Sequence, residues 1–121
     1  MKKVKWLKRP EAKNWFSANV YLGLLGYGRS PIPAAGRSKL KVEWFPAKDI
    51  LRAAGLNLLH EGSQKVESKV EKIKKGTKLS PVILVITKPG TLVIADGFHR
   101  ISALYYVDRE ILVPAIVKNL K

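Results

Sequence analysis

Within Ala95-Asp96-Gly97-Phe98-His99-Arg100 the chain sets a carboxylate, a glycine, an imidazole and a guanidinium in one short run. The residues before it, Thr91-Leu92-Val93-Ile94-Ala95, read as a strand, and Ile101, Leu104 and Tyr105 continue beyond it as a helix through about Val107. A loop so placed opens onto backbone N–H groups that lack partners at the positive end of a helix dipole, which favours an anion. Gly97 permits a tight turn and close backbone approach. His99 and Arg100 add donors suited to phosphate oxygens, Arg100 in bidentate fashion. Asp96 has two readings, a cap for the turn or a metal ligand or base. His99 reads equally as a structural histidine. Arg100 has an alternative in a surface ion pair with Glu43 or Glu61, but phosphate contact is favoured. Phe98 reads as core before it reads as a stacking platform.

The elements that must position this loop are legible as patterns. Pro81-Val82-Ile83-Leu84-Val85-Ile86 is a continuous apolar run typical of a strand buried on both faces. Lys88-Pro89-Gly90 turns it back into the strand before Asp96. Upstream, Pro10-Glu11 opens a helix through Leu25, with Trp15, Ala18, Leu22 and Leu25 on one face. Gly26, Gly28, Pro31, Pro33 and Gly36 then break up a long loop from Gly26 to Ser38; it lacks the pattern of a nucleotide-binding glycine loop. Lys41 to Phe45 reads as a strand stopped by Pro46, and Pro46 starts a helix over Ala47 to Ala54 that ends at Gly55. A further helix is expected from Ser63 to Lys75, with Val66, Val70 and Ile73 inward and its lysines on a solvated face. Ile111 to Val117 closes the chain as a strand, and Pro114 within it predicts an edge position or a bulge. The pattern is α+β, with a small mixed sheet, flanking helices and an additional N-terminal helix. Residues 1–40 form a basic arm, a helix and a Gly/Pro-rich loop; residues 41–121 form the domain proper. The first helix is expected to pack on that domain through its apolar face, and residues 1–8 to be mobile.

Charge narrows the partners. The 121 residues hold 23 Lys+Arg against 9 Asp+Glu, a net charge of +14, and residues 1–41 carry a net +9 of it. Lys2, Lys3, Lys5, Lys8 and Arg9, with Trp6 and Trp15 interleaved, are candidates for nucleic-acid contact, against the plainer reading that the tryptophans are core. Cysteine is absent, which excludes disulfides, thiolate metal sites and cysteine nucleophiles. No apolar run approaches the ~20 residues of a membrane helix, and the N-terminus lacks the features of a signal peptide. A soluble, cytoplasmic, single-domain protein with no membrane partner is expected.

The run from Ser80 to Val85, the segment Val93 to Ala103 around Asp-Gly-Phe-His-Arg, and Val113-Pro114-Ala115-Ile116-Val117 together resemble the ParB/sulfiredoxin superfamily, over roughly residues 40–118. Tyr21-Leu22-Gly23-Leu24-Leu25 and Lys48-Asp49-Ile50-Leu51 are similar to segments of its small stand-alone ParB-like domains. The resemblance implies that fold and a phosphate-binding role for Gly97, Phe98, His99 and Arg100. Sulfiredoxin chemistry is excluded, because Phe98 stands where those enzymes carry their cysteine. Partitioning ParB proteins bind CTP with a Gly-Glu-Arg-Arg loop, which this chain matches at Gly97 and Arg100; without their following DNA-reading domain, sequence-specific DNA binding is not expected. A free-serine kinase of the superfamily is similar at Asp96, Gly97, His99 and Arg100, and its catalytic glutamate falls in a region comparable to that of Glu61. A metal-dependent nuclease would need more converging carboxylates than three Asp and six Glu readily supply.

The resemblance implies one of two activities. One is a ParB-like module that binds ATP, ADP or CTP with Mg2+ positioned by Asp96, acting with a nucleic-acid or protein partner. The alternative is a small phosphotransferase or nucleotide hydrolase, in which Glu61 or Asp96 orients the nucleophile while His99 and Arg100 stabilise charge.

Overall fold

Val82, Ile83, Leu84 and Val85 are all buried, and because strand side chains alternate, they feed two separate cores. This strand is β2 (Val82–Ile86) in a computed structural model that describes residues 4–56 and 64–120. The other strands are β1 (Val42–Pro46), β3 (Leu92–Asp96) and β4 (Leu112–Asn119); the helices are α1 (Ala12–Leu24), α2 (Ala47–Ala54), α3 (Gln64–Lys75) and α4 (Phe98–Val107). The four-stranded sheet runs β1-β4-β2-β3, with β2 parallel to β4 and the remaining pairs antiparallel. The architecture is the α+β domain with a small mixed sheet that the pattern predicts.

Val82 and Leu84 face the larger core, where Ile94, Ile101, Leu104 and Val113 meet Ile50 and Leu51 of α2 and Val66 and Ile73 of α3. Ile83 and Val85 face the smaller core with Ala95, Ile116, Ile32 and the α1 residues Trp15, Ala18 and Leu22. Among the described residues, helix α1 is therefore the one helix on its face of the sheet, and α2, α3 and α4 lie on the other. Each fully buried Leu or Ile in these layers contributes about 1.5–3 kcal/mol of transfer free energy.

Two expectations are corrected. Residues 4–7 are not mobile: Leu7 N–H donates to Leu79 O at 2.8 Å and Leu79 N–H to Lys5 O at 2.9 Å, which adds a short parallel bridge beside the sheet. Val4 is buried, and Trp6 packs edge-on against Trp44 with ring centroids 6.4 Å apart. Pro114 is not on an edge strand. It sits opposite Trp44 in β4, an interior strand of the sheet, one residue before the ladder to β2 begins at Ala115, so its missing N–H falls at the margin of that ladder. The Gly/Pro-rich loop contains a single 3-10 turn, Arg37–Lys39, and is pinned to the core by Ile32. The Asn19 side-chain amide donates to Ile32 O at 3.0 Å and accepts from Ile32 N–H at 2.9 Å.

Candidate anion-binding site

The loop after β3 is shaped by three local devices. Ile83 pairs with Asp96 but Leu84 pairs with Ile94, so the β2–β3 register slips by one residue and leaves Ala95 over. A bulge of this kind bends the strand and re-aims the residues beyond it. Gly97 then adopts φ 111°, in the left-handed region, as the N-terminal cap of α4. A Cβ here would run into the Val82 side chain and come within 2.9 Å of Arg100 Nη2. Only glycine allows the helix to start so close to the sheet. No side chain among the described residues caps this end of α4, which leaves its first N–H groups for solvent or a ligand.

Arg100 is 8% exposed. Its Nη2 donates to Asp96 Oδ2 at 2.7 Å and lies 3.4 Å from Pro81 O, while its Nε is buried without a hydrogen-bond partner. The partner is thus Asp96, one helical turn back, rather than Glu43; Glu61 lies outside the described residues. Asp96 is likewise a partner for Arg100 rather than a side-chain cap.

Helix α3 supplies the opposite wall, and its lysines are not all on a plain solvated face. Lys65, Ser68 and Lys69 line an open cleft of about 550 Å3 together with Asp96, Gly97, His99 and Arg100. Val66 and Ile73 bury one side of α3 beneath α4, which carries the adjacent helical positions 65, 68 and 69 to the cleft. The i,i+4 pair Lys65/Lys69 flanking Ser68 is the signal in the sequence; that α3 packs on α4 is what gives it meaning.

The cleft is electropositive. His99 is held below its usual 6.5 by partial burial, and then by the charges of Lys65, Lys69 and Arg100. Lys69 is held below its usual 10.5 by burial first, then by Lys72, Arg100 and Lys13. In both, burial is the larger cause and the surrounding positive charge adds to it. Asp96 is the one carboxylate among the described residues lining the cleft, and Arg100 already occupies it.

The remaining candidates separate. Phe98 packs against the larger core rather than lining the cleft, 6.1 Å from the His99 ring. Lys5 and Lys8 are exposed, whereas the Arg9 guanidinium donates to Arg37 O at 2.8 Å and Leu40 O at 2.9 Å. Trp15 is core, with Arg37 stacked 5.0 Å from its ring. Lys2, Lys3 and Glu61 lie outside the described residues. No group of three or more potential metal ligands occurs among the described residues. Mg2+ is bound through one or two carboxylates in addition to substrate phosphates, and a single Asp already paired with Arg100 among cations is a poor fit for a protein-held Mg2+.

No protein-family model, curated protein or solved structure matches the chain. No helix among the described residues is long and apolar enough to cross a membrane.

Proposed function

We propose that the chain is a binding module for a phosphate-bearing ligand, a nucleotide such as ATP, ADP or CTP, held in the cleft between α3 and the start of α4. The observation that carries this reading is the convergence of Lys65, Lys69, His99 and Arg100 on an uncapped helix N-terminus, with Asp96 already engaged. Phosphate oxygens accept from the first N–H groups of α4 and from the lysines, and neutralise the positive charge that, after burial, disfavours the charged forms of Lys69 and His99. Arg100 acts mainly through Asp96, fixing the loop. Any Mg2+ enters with the nucleotide's own phosphates. The motif resemblance to ParB-like domains agrees with this reading. Exposed Lys5 and Lys8 add salt-sensitive affinity for a nucleic-acid partner. The engagement of Asp96 by Arg100 weighs against Asp96 as the base of a phosphoryl transfer, the other candidate, Glu61, lying outside the described residues.

Thermal unfolding against ATP, ADP, CTP, GTP and tripolyphosphate, with and without Mg2+, tests this reading. A ligand at about 100 times its Kd adds about 2.7 kcal/mol, or roughly 10 °C for a domain of this size. A nucleotide-selective rise that is lost in Lys69→Gln is the expected result. Equal rises with tripolyphosphate and in the variant would reduce the effect to bulk charge and overturn it.

A further inference from the structure

Helix α1 buries Trp15, Ala18 and Leu22, yet its outward side is also apolar. Phe16, Val20 and Leu24 recur every four residues there and are 71%, 47% and 81% exposed. An apolar stripe left open along a helix marks an interaction surface more often than does a scattered exposed residue. Beside it the chain folds back to form a groove of about 510 Å3, whose lining includes Phe16, Val20, Gly23, Gly28, Arg29 and Arg37. Gly23 and Gly28 approach one another across it, where a Cβ on Gly23 would lie 3.4 Å from Gly28 O. Its walls are fixed, since Asn19 and Arg37 both bond the backbone of Ile32, Arg37 at 2.9 Å. Ser30, on the rim, is the one non-glycine among the described residues with positive φ, at 43°.

We infer that this groove docks an amphipathic helix of a partner protein, apolar on the face it presents and acidic on its flanks. Among the described residues the lining holds two arginines and no acid, and the whole chain carries +14, so electrostatic complementarity calls for a negative partner. A second copy would bring like charge against like. Phe16 and Val20 wall the groove between α1 and the glycine loop, which suits side chains inserting from a helix, and Leu24 extends the apolar stripe beyond it. Phe16, Val20 and Leu24 supply the apolar contact; Arg29 pairs with an acid on the flank. The surface lies on α1, apart from the cleft, and its occupation does not depend on a phosphate ligand.

The test uses the full chain and a labelled helical peptide of about four turns, matching the roughly 20 Å of α1, with Leu at three- and four-residue spacing and Glu elsewhere. A scrambled peptide of the same composition, phosphatidylcholine–phosphatidylserine vesicles, and sedimentation of the protein alone complete the set. The patterned peptide is expected to bind at least about tenfold more tightly than the scrambled one. Phe16→Ser and Leu24→Ser should each remove about tenfold while leaving the circular dichroism unchanged, Arg29→Glu should weaken binding and flatten its salt dependence, and Lys65→Glu in the cleft should leave the effect of pattern intact. Equal binding of both peptides would overturn the proposal. So would vesicle binding without peptide discrimination, or a dimer that Leu24→Ser dissolves.

Discussion

Arg100 Nη2 and Asp96 Oδ2 lie 2.7 Å apart with their side chains 9% and 14% exposed, one residue closing β3 and the other in the first turn of α4. The pair ties the sheet to the helix across Gly97 and holds the loop in the shape that leaves the α4 N-terminus open. Removing one member of a buried pair strands the other's charge and costs about 3–5 kcal/mol. Asp96→Ala and Arg100→Met are each expected to lose that much in guanidinium denaturation. The double variant Asp96→Asn/Arg100→Met should recover a large part of the loss, because no uncompensated charge remains.

Gly97→Ala combines a φ of 111° with a collision against Val82. It should destabilise by more than about 1 kcal/mol. Adding Val82→Ala removes the closest clash, with Val82 Cγ1, but leaves the contacts at 2.9 Å with the Cβ of residue 82 and with Arg100 Nη2, and the backbone strain. In thermal unfolding, Gly97→Ala should therefore cost less when measured on the Val82→Ala background than on the wild type.

His99 should give stability and anion binding opposite responses to pH. Its folded pKa lies below the usual 6.5, so below that value the unfolded chain holds more protons. The stability it contributes is full above about pH 6.5 and is lost as pH falls through the lower folded value. Phosphate favours the protonated ring, so affinity should instead strengthen on acidification through the same window. Both slopes should flatten in His99→Gln, as the difference from wild type in parallel melting and calorimetric titrations from pH 5 to 8, roughly the window in which histidine titrates.

Lys69 illustrates the cost of holding positive charges together. Burial and the neighbouring cations disfavour its charged form, so Lys69→Gln should melt at a higher temperature than wild type without ligand. The same variant should bind nucleotide at least about tenfold more weakly, the loss expected of a charge-assisted hydrogen bond to phosphate. A variant that is both less stable and unchanged in binding would remove Lys69 from the site.

Much of the fold is legible in the sequence where local chemistry decides it. Pro46 and Gly55 bound α2 as expected, because one fixes φ at a helix start and the other adopts φ 66° at its end. The Val82–Ile86 run announces a strand covered on both faces, and the sheet buries it so. Pro114 misleads because a missing N–H alone suggests an edge, whereas what matters is where the neighbouring ladder begins. The loop residues Asp96, Gly97, His99 and Arg100 meet in the cleft as their spacing implies. Lys65 and Lys69 could not be assigned to it from α3 alone, since a helix face is solvated or functional according to what packs beside it. The Asp96–Arg100 pair is equally hidden: an i,i+4 spacing across a strand–helix junction becomes a contact only once Gly97 brings the helix down onto Val82.

The most direct measurement is an amide 1H–15N correlation titration of the full chain with CTP, ATP and tripolyphosphate at fixed ionic strength. The expected result is saturable movement of the Gly97, Phe98, His99 and Arg100 amides together with those of Lys65 and Lys69, reduced in Lys69→Gln. Shifts confined to Lys5, Lys8 and other exposed bases, with the start of α4 unmoved, would contradict an anion site at that helix.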